Sequence, residues 1–214
     1  MALPADLSAI LSFPYVIFDM DGTLLDSEPK HALAWNAVGH KYGLPEISPA
    51  YLAQVGGIPT LGIAKMLCEE HHLSVDPALI ARDKIKMYLD VYMHEAECFP
   101  GMVELVKKFS AKGSKIAVAT GSQLFETEHL LKKYGVFPYL ATIVSADQVQ
   151  NGKPAPDTYL TAMERMGGTP DKTLVFEDTP IGFKGVKAAG MSLVRVKGGK
   201  LLSGVIAPEN IVLA

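Results

Sequence analysis

Short apolar segments alternate with amphipathic segments along most of the chain. The apolar segments are rich in β-branched and aromatic residues and mostly lack a polar residue at every second position; they are YVIF (15–18), KIAVAT (115–120), TIVSA (142–146), TLVFED (173–178) and MSLVRV (191–196). Strands buried on both faces of a parallel sheet have this pattern. Helical periodicity covers the segments between them, at 100–113, 124–135, 155–168 and 180–190. Three of these predicted helices stop at a glycine, a common C-terminal signal: Gly113, Gly135 and Gly190.

A purely helical stretch interrupts this alternation after the first strand. Between Ser27 and Glu97 no segment has a convincing strand pattern, and helical patterns cover 31–43, 60–72 and 77–96. A crossover between two parallel strands needs only about a dozen residues. We therefore predict a Rossmann-like α/β core with a parallel sheet, formed by residues 1–26 and 98–214, and a small helical cap domain inserted at residues 27–97.

Composition limits the classes of partner and location. With 214 residues, 49% of them hydrophobic, the chain can bury a substantial core. A formal net charge of −3 without a basic cluster argues against a nucleic-acid partner. No apolar run approaches the roughly 20 residues of a membrane span, and the N-terminal segment lacks the basic region of a signal peptide. Cys68 and Cys98 fit neither a disulfide framework nor a CxxC metal site, so we expect a cytoplasmic protein. We also expect it to be a monomer.

The first predicted strand runs directly into DMDGT, where Asp19 and Asp21 stand one residue apart. An EF-hand loop beginning at Asp19 would require glycine at its sixth position and glutamate at its twelfth, where this chain has Leu24 and Lys30. A structural role in capping an Asp-Gly turn is a common alternative. A catalytic role is the third, because ligands bind beyond the carboxyl ends of the strands in an open parallel sheet.

Other strand ends carry polar groups as well. They are Thr120, Gly121 and Ser122 after the second strand, Lys153 in NGKPAPD after the third, and Glu177 and Asp178 at the end of the fourth. Because parallel strands end at one edge of the sheet, these groups are expected to lie close to Asp19 and Asp21. This convergence favours the catalytic interpretation over the turn cap.

The converging groups suit the chemistry of a phosphate ester. Asp19, Asp21 and Asp178 offer the hard oxygen ligands that Mg²⁺ prefers, while Lys153 and the Thr120 hydroxyl could hold a phosphate. A pair of unit charges 4 Å apart is worth roughly 4 kcal/mol at an effective dielectric constant of about 20. A few such contacts outweigh the unfavourable net charge of the protein.

An aspartate can also attack phosphorus and form an aspartyl-phosphate, which divides one difficult step into two easier ones. Asp19, placed at the end of a strand, is the predicted nucleophile. Asp21, two residues later on the turn, could protonate the departing sugar oxygen and then accept a proton from water. This role requires Asp21 to be protonated in the first step.

The segments DMDGT, ATGS, KPAPD and FEDT, in this order at successive strand ends, closely resemble the motifs of the haloacid-dehalogenase-like hydrolase superfamily. The resemblance covers nearly the whole chain, because the helical insert is similar to the small cap of that superfamily. The runs SEPKHALAWNAVGHKYGL and KPAPDTYLTAMERMG resemble the branch of β-phosphoglucomutases and sugar-phosphate phosphatases, which includes bacterial fructose-1-phosphatases. The resemblance implies a Mg²⁺-dependent enzyme that acts on a small phosphorylated sugar.

The resemblance also implies a role for each motif residue. Asp19 is the expected nucleophile and Asp21 the general acid and base. The expected phosphate-binding residues are Thr120, Gly121, Ser122 and Lys153, and the expected Mg²⁺ ligands are Asp19, Asp178 and the Asp21 backbone carbonyl, supported by Glu177. An aspartate at the second position of the first motif argues against dehalogenation.

In the cap, the resemblance draws attention to Lys30, His31 and the GG-I-P turn that contains Gly57. The mutase-like pattern has a histidine at position 31 that gates acid and base chemistry. A capping or surface histidine is the alternative explanation. Which cap residues contact the substrate is left open by the sequence.

Two other functions compete with a phosphatase. A phosphosugar mutase must hold the second phosphate of a bisphosphate, yet VGGIPTLGIA (55–64) contains no Lys or Arg, and Gln123 and Leu124 replace a Lys-Asn pair of the mutase. Both departures favour hydrolysis. A non-catalytic phosphosugar-binding protein is the second alternative, but binding alone would not require both Asp19 and Asp21.

Overall fold

A computed structural model describes residues 7–213 of the chain. Its strands are β1 (Tyr15–Phe18), β2 (Leu25–Asp26), β3 (Glu97–Cys98), β4 (Lys115–Ala119), β5 (Thr142–Val144), β6 (Thr173–Glu177), β7 (Ser192–Lys197) and β8 (Lys200–Leu201). Its α-helices are α1 (Leu7–Ile10), α2 (Glu28–Gly39), α3 (Pro49–Val55), α4 (Thr60–Glu70), α5 (Pro77–Met87), α6 (Pro100–Ala111), α7 (Leu124–Lys133), α8 (Asp157–Met166) and α9 (Pro180–Ala188).

The main sheet has six strands in the order β5-β4-β1-β6-β7-β8. The first five of these run parallel, and β8 pairs antiparallel to β7. The chain passes from β1 to β4 and β5 on one side and then returns to β6 on the other side of β1. The carboxyl end of β1 is therefore the point where the strand order reverses, the usual ligand position in such sheets.

The central strands are buried on both faces, as their apolar sequences predict. On β1, Val16 and Phe18 contribute to one hydrophobic cluster, whereas Ile17 contributes to another on the opposite face. Phe18 stacks on Phe176 of β6 with ring centroids 4.6 Å apart, and Phe109 of α6 packs edge-on against both rings. Burial of each such side chain contributes about 1.5–3 kcal/mol. This packing holds the ends of β1 and β6 at a common level.

The sequence predictions for the core elements are confirmed with shifts of a few residues at their ends. Each of the five predicted strands is present, and each predicted core helix lies within its predicted segment. The glycines expected to stop helices, Gly113, Gly135 and Gly190, follow α6, α7 and α9 and have left-handed backbone conformations. The fold class is therefore confirmed: a parallel-sheet α/β core with a helical insert.

Two details of the helical insert differ from the sequence prediction. Helix α3 (Pro49–Val55) was not predicted, because seven residues are too few to show a helical period; the Ser48 side chain caps it by accepting a hydrogen bond from the Tyr51 amide. The helix predicted at 77–96 ends at Met87 and continues as a wide π-helical turn, Tyr88–Tyr92, and a 3-10 turn, Met93–Glu95. Apolar spacing alone does not distinguish these helical turns.

A short antiparallel ladder connects the insert to the core. Leu25 pairs with Cys98 and Asp26 with Glu97, so both chain crossings lie side by side at the predicted domain boundaries. Lys133 at the end of α7 donates a hydrogen bond of 2.8 Å to the carbonyl of His94. The core thus holds the second crossing directly.

Two further expectations concern the chain as a whole. Among the helices of residues 7–213, none is both long enough and apolar enough to cross a membrane. Cys68 and Cys98 are free thiols in the structure.

Candidate active site

Strand register brings the predicted motif residues together at one edge of the sheet. Phe18 of β1 lies level with Phe176 of β6 and with Val118 of β4. The residues that follow, Asp19 and Glu177, therefore leave neighbouring strands at the same height, and the Asp19 amide donates to the Phe176 carbonyl at 2.9 Å. The convergence expected from the sequence is present.

Lys153 connects the ends of β1 and β6. Its Nζ lies 2.5 Å from Asp19 Oδ1 and 2.9 Å from Glu177 Oε2, and none of its side chain is exposed. The ring of Tyr159 on α8 lies beneath this ammonium, with the centroid 5.0 Å away. A buried cation with two carboxylate partners fixes the position of Asp19 closely.

Both carboxylate oxygens of Glu177 accept several hydrogen bonds. Its Oε2 accepts hydrogen bonds from Lys153 and, at 2.7 Å, from the Tyr159 hydroxyl. Its Oε1 accepts from the Thr179 hydroxyl at 2.7 Å and from the amides of Thr179 and Asp178 at 3.0 and 3.2 Å. Glu177 therefore organises the site from within the protein, and this saturation fits the supporting role expected for it.

The buried charges shift one another's pKa values. Burial raises the pKa of Asp19, and the charge of Glu177 adds to this effect. Burial alone would lower the pKa of Lys153, but Asp19 and Glu177 outweigh it and raise that pKa well above its usual value. For Glu177, Lys153 outweighs burial and lowers the pKa. Lys153 is thus a permanent cation that compensates only part of the local negative charge.

The negative charge that Lys153 does not compensate is associated with Asp178. Ligand atoms of Asp19, Glu177 and Asp178 all lie within 4.8 Å of one another. Burial, followed by the neighbouring charges of Glu177 and Asp19, raises the pKa of Asp178 to about 10. Hard oxygen donors with excess negative charge suit a divalent cation such as Mg²⁺. The donor set therefore fits a metal, with Asp19 and Asp178 as the carboxylates that could face it.

The absence of a side chain at Gly22 leaves room for the Asp178 carboxylate. A Cβ atom at residue 22 would overlap the Asp178 carboxylate, and Gly22 has a φ of +79°, which side chains rarely adopt. The Thr23 hydroxyl donates to Asp178 Oδ1 at 3.3 Å. The glycine of DMDGT is thus required both for the turn and for the approach of the second carboxylate.

Asp21 lies on the other side of the turn, among hydroxyl groups. Ser122 Oγ donates to its Oδ2 at 2.7 Å, Thr120 Oγ1 lies 3.4 Å from the same oxygen, and the Ser27 hydroxyl donates to Oδ1. Burial would raise the pKa of Asp21, but contacts with His31, Ser27 and Ser122 outweigh it and lower that pKa. This arrangement stabilises the ionised form, whereas a general acid needs the protonated one.

His31 links Asp21 to a buried lysine of the insert. Its Nε2 lies 3.4 Å from Asp21 Oδ1, and its Nδ1 lies 2.7 Å from Lys84 Nζ. The imidazole stacks on Tyr88 with ring centroids 3.8 Å apart. Burial lowers the pKa of Lys84 to about 8. His31 therefore occupies the site, as the mutase-like pattern implied, rather than a free surface position.

Sequence reasoning missed Lys84, Ser27, Thr179 and Glu28, although Lys84 had a detectable signal. It lies on the apolar face of α5, four residues after Ile80 and four before Tyr88, which are both fully buried. A lysine at such a position must find a buried partner. The other three residues lie beside motif residues and show no separate pattern.

The GG-I-P turn of the insert lies directly on the core loops. A Cβ atom at Gly121 would lie 2.6 Å from the Gly57 carbonyl oxygen, and one at Gly152 would overlap the ring of Pro59. Gly57 itself lines the cavity above Asp19. The turn thus forms one wall of the site, as predicted. Its position against the core requires that Gly121 and Gly152 have no side chain.

Lys30 is placed differently. Its Nζ forms an ion pair of 2.7 Å with Glu95, and it is not among the residues that line the cavity. The remaining predicted residues, Asp19, Asp21, Thr120, Gly121, Ser122, Lys153, Glu177, Asp178, His31 and Gly57, are brought together around the carboxyl ends of β1, β4 and β6.

Comparison with known families agrees with this arrangement. The family model described as haloacid dehalogenase-like hydrolase matches residues 16–196, which include all four motifs. The chain belongs to the haloacid dehalogenase-like hydrolase family. The resemblance inferred from DMDGT, ATGS, KPAPD and FEDT is thereby confirmed.

Several relatives of this hydrolase are named as phosphatases. The fructose-1-phosphate phosphatase YqaB of Escherichia coli (strain K12) is 40% identical over 182 residues, which cover 85% of this chain and 95% of the relative. The phosphorylated carbohydrates phosphatase of Thermotoga maritima is 31% identical over 212 residues, covering 92% of this chain and 95% of the relative. These names agree with the activity expected from the motifs.

The fold is similar to that of a solved structure. The crystal structure of β-phosphoglucomutase from Clostridium difficile superimposes with a TM-score of 0.78 over 86% of this chain and 84% of that chain. Its sequence identity is 22%, so this likeness concerns the fold.

Proposed function

We propose that this hydrolase is a Mg²⁺-dependent phosphatase that cleaves a small sugar phosphate through an aspartyl-phosphate on Asp19. The observation that carries the proposal is the buried contact of Lys153 with Asp19 and Glu177, next to the uncompensated carboxylate of Asp178. A carboxylate held in a fixed position beside donors for a cation supports the role of Asp19 as the nucleophile. The phosphatase names of the two relatives, both sharing at least 31% identity, support the same reaction.

In the first step, a carboxylate oxygen of Asp19 attacks phosphorus, and the bond between phosphorus and the sugar oxygen breaks. Because Lys153 holds Oδ1 of Asp19 at 2.5 Å, Oδ2 is the oxygen left for attack. Asp21 gives its proton to the departing sugar oxygen, which leaves as a neutral alcohol. General acid catalysis of this kind contributes typically 10²–10⁴-fold.

In the second step, water attacks the phosphorus of the aspartyl-phosphate. Asp21 accepts the water proton, the bond between phosphorus and the Asp19 oxygen breaks, and inorganic phosphate forms. A phosphoryl group beside Thr120 and Ser122 would compete with Asp21 for their hydroxyl protons, and so weaken the contacts that favour its ionised form. The protonated Asp21 of the first step is consistent with this competition.

Mg²⁺ fits the carboxylates of Asp19 and Asp178, and when bound it would neutralise charge on the phosphoryl oxygens. Glu177 would support these ligands indirectly, because hydrogen bonds from its neighbours and from Lys153 occupy both of its oxygens. The excess of carboxylates over cations at this edge of the sheet is the feature that calls for a divalent ion.

Removal of metal tests this part of the proposal. We expect EDTA to lower phosphate release by roughly a hundredfold or more, since the phosphoryl charge would lose its main stabilisation, and we expect added Mg²⁺ to restore it. Mg²⁺ at about 100 times its dissociation constant should also stabilise the folded protein by about 2.7 kcal/mol. Phosphate release and thermal unfolding measure the two effects. Full activity in EDTA would remove the metal from the scheme.

The close contact of the GG-I-P turn with Gly121 leads to a further prediction. In Gly121→Ala, the new methyl group would meet the backbone oxygen of Gly57 at 2.6 Å, and a backbone cannot rotate away as a side chain can. We expect kcat/KM for a sugar phosphate to fall about a hundredfold, because displacement of groups by about 1 Å can have that effect.

Gly101→Ala is the matched control, since nothing lies within 4 Å of a Cβ at that exposed residue. It should leave kcat/KM within about twofold of the original value, as surface substitutions usually do. Circular dichroism and urea unfolding should show that both variants fold. Equal activity of the two variants would mean that catalysis does not depend on the present position of the GG-I-P turn against the core.

A further inference from the structure

An open cavity lies between the insert and the carboxyl edge of the sheet. Its core side includes Asp19, Asp21 and Ser122, and its insert side includes Glu28, His31 and Trp35. The core groups belong to the phosphoryl chemistry described above. The insert side therefore faces the part of the substrate that leaves.

The insert side is mostly apolar. Trp35, Leu52, Ile58 and Ile63 offer hydrophobic surface, on which the carbon skeleton of a sugar can pack. Lys84 is the lysine among the lining residues, but it is buried and its Nζ lies 2.7 Å from His31 Nδ1. Its charge is therefore held within the protein.

Glu28 is the carboxylate of this wall. It is the first residue of α2, and its Oε1 lies 3.8 Å from where a Cβ of Gly56 would stand, so it borders the GG-I-P turn. Partial burial and the charge of Asp21 raise its pKa, whereas the charge of Lys197 lowers it. The residue is exposed, so its carboxylate is accessible to a ligand in the cavity. Its oxygens thus retain their capacity to accept hydrogen bonds.

The position of the Glu28 carboxylate affects which leaving groups the cavity can bind. A sugar presents several hydroxyl donors, and hydrogen bonds to an ionised acceptor are roughly twice as strong as neutral ones. A leaving group with its own carboxylate or phosphate would instead meet the like charges of Glu28 and Asp21, which repel it. The wall therefore distinguishes substrates by charge as well as by shape.

We propose that Glu28 is a specificity-determining residue that accepts hydrogen bonds from the hydroxyl groups of an uncharged polyol leaving group and excludes phosphate esters that carry a second anionic group. This inference rests on the proposed phosphatase function and narrows its substrate class to monophosphates of neutral polyols. Bisphosphates and phosphorylated carboxylic acids fall outside that class.

Two substitutions at residue 28 test the two parts of the inference. Glu28→Gln keeps the size of the side chain and its hydrogen-bonding capacity but removes the charge. The native enzyme should prefer fructose 1-phosphate to phosphoglycolate in kcat/KM by about a hundredfold or more. Glu28→Gln should reduce this preference at least about tenfold, because placing like charges next to each other at a binding site disfavours the wrong ligand.

Glu28→Ala removes the acceptor. It should raise KM for fructose 1-phosphate about tenfold and leave KM for p-nitrophenyl phosphate, whose leaving group carries no sugar hydroxyls, within about twofold, since only the former loses a hydrogen bond to a charged group. Glu46→Gln, at an exposed position of the insert, is the control and should preserve the native preference. Thermal unfolding checks that each variant folds.

The possible failures are distinguishable. If the native enzyme released phosphate from no sugar monophosphate, the proposed function and with it the role of Glu28 would be overturned. If the native enzyme used both substrates equally, or if Glu28→Gln left the preference unchanged, the role of Glu28 alone would be wrong and the phosphatase function would stand. Parallel increases in KM for both esters in Glu28→Ala would likewise overturn hydroxyl recognition.

Discussion

Asp19→Asn should reduce phosphate release to the background rate, a loss on the order of 10⁴-fold or more, because a neutral amide cannot replace a carboxylate nucleophile. The loss should appear in kcat, since the group acts on the reacting phosphorus rather than on the rest of the substrate. Lys153 keeps its second partner, Glu177, at 2.9 Å. The variant is therefore expected to fold, and a steady-state assay of phosphate release measures the effect.

A second measurement identifies the covalent step. Acid quenching of the native enzyme with a ³²P-labelled sugar phosphate should yield a labelled peptide that contains Asp19, and the asparagine variant should yield none. Asp171→Asn, an exchange of an exposed aspartate away from the sheet edge, should retain both activity and labelling. Normal turnover by Asp19→Asn would exclude covalent catalysis at this residue.

Lys153→Met should have the second large effect, on stability as well as on activity. Lys153 is the cation that contacts Asp19 and Glu177, and its side chain is completely buried. Methionine fills much of the same volume but leaves two buried carboxylates without their partner. Breaking a buried ion pair in this way costs about 3–5 kcal/mol, and we expect the free energy of unfolding to fall by that amount.

Urea unfolding in EDTA measures this loss without interference from bound metal. Lys132→Met provides the comparison, because Lys132 is 54% exposed and pairs with Glu128 on the surface of α7. Exposed pairs of this kind contribute about 0.2–1 kcal/mol, so this variant should unfold almost like the native protein. Similar losses in the two variants would show that Lys153 does not compensate the buried carboxylates.

The elements of the core could be predicted because their signals are local. An apolar run such as TLVFE, residues 173–177, is buried at every position, and this property leaves its mark on the sequence itself. Glycine after α6, α7 and α9 marks the helix ends in the same local way. Helix α3 escaped prediction because seven residues carry too little periodicity.

The motif residues were predictable for a related reason. Parallel strands end at a common edge, so a residue that follows a strand in the sequence also follows it in space. Asp19, Thr120, Lys153 and Asp178 are therefore positioned by short-range connections to the sheet. Their assembly around β1 needed no knowledge of the packing of the insert.

The insert behaves differently, because its residues reach the site through the packing of whole helices. Lys30 and His31 are adjacent in the sequence and on the same helix, yet His31 contacts Asp21 whereas Lys30 pairs with Glu95. Lys84 arrives from α5 to meet His31. No local pattern in the sequence distinguishes Lys30 from His31, and the buried position of Lys84 on its helix did not identify its partner.

The sequence by itself therefore indicated the family, through the resemblance of its four motifs. It also determined the parallel sheet and the set of polar groups at its carboxyl edge, since these follow from local chain geometry. Only the tertiary structure decided which carboxylate Lys153 compensates, that hydrogen bonds saturate Glu177, and that Glu28 faces the cavity. These facts depend on distances between segments far apart in the chain, which are set by the packing of the insert and the core.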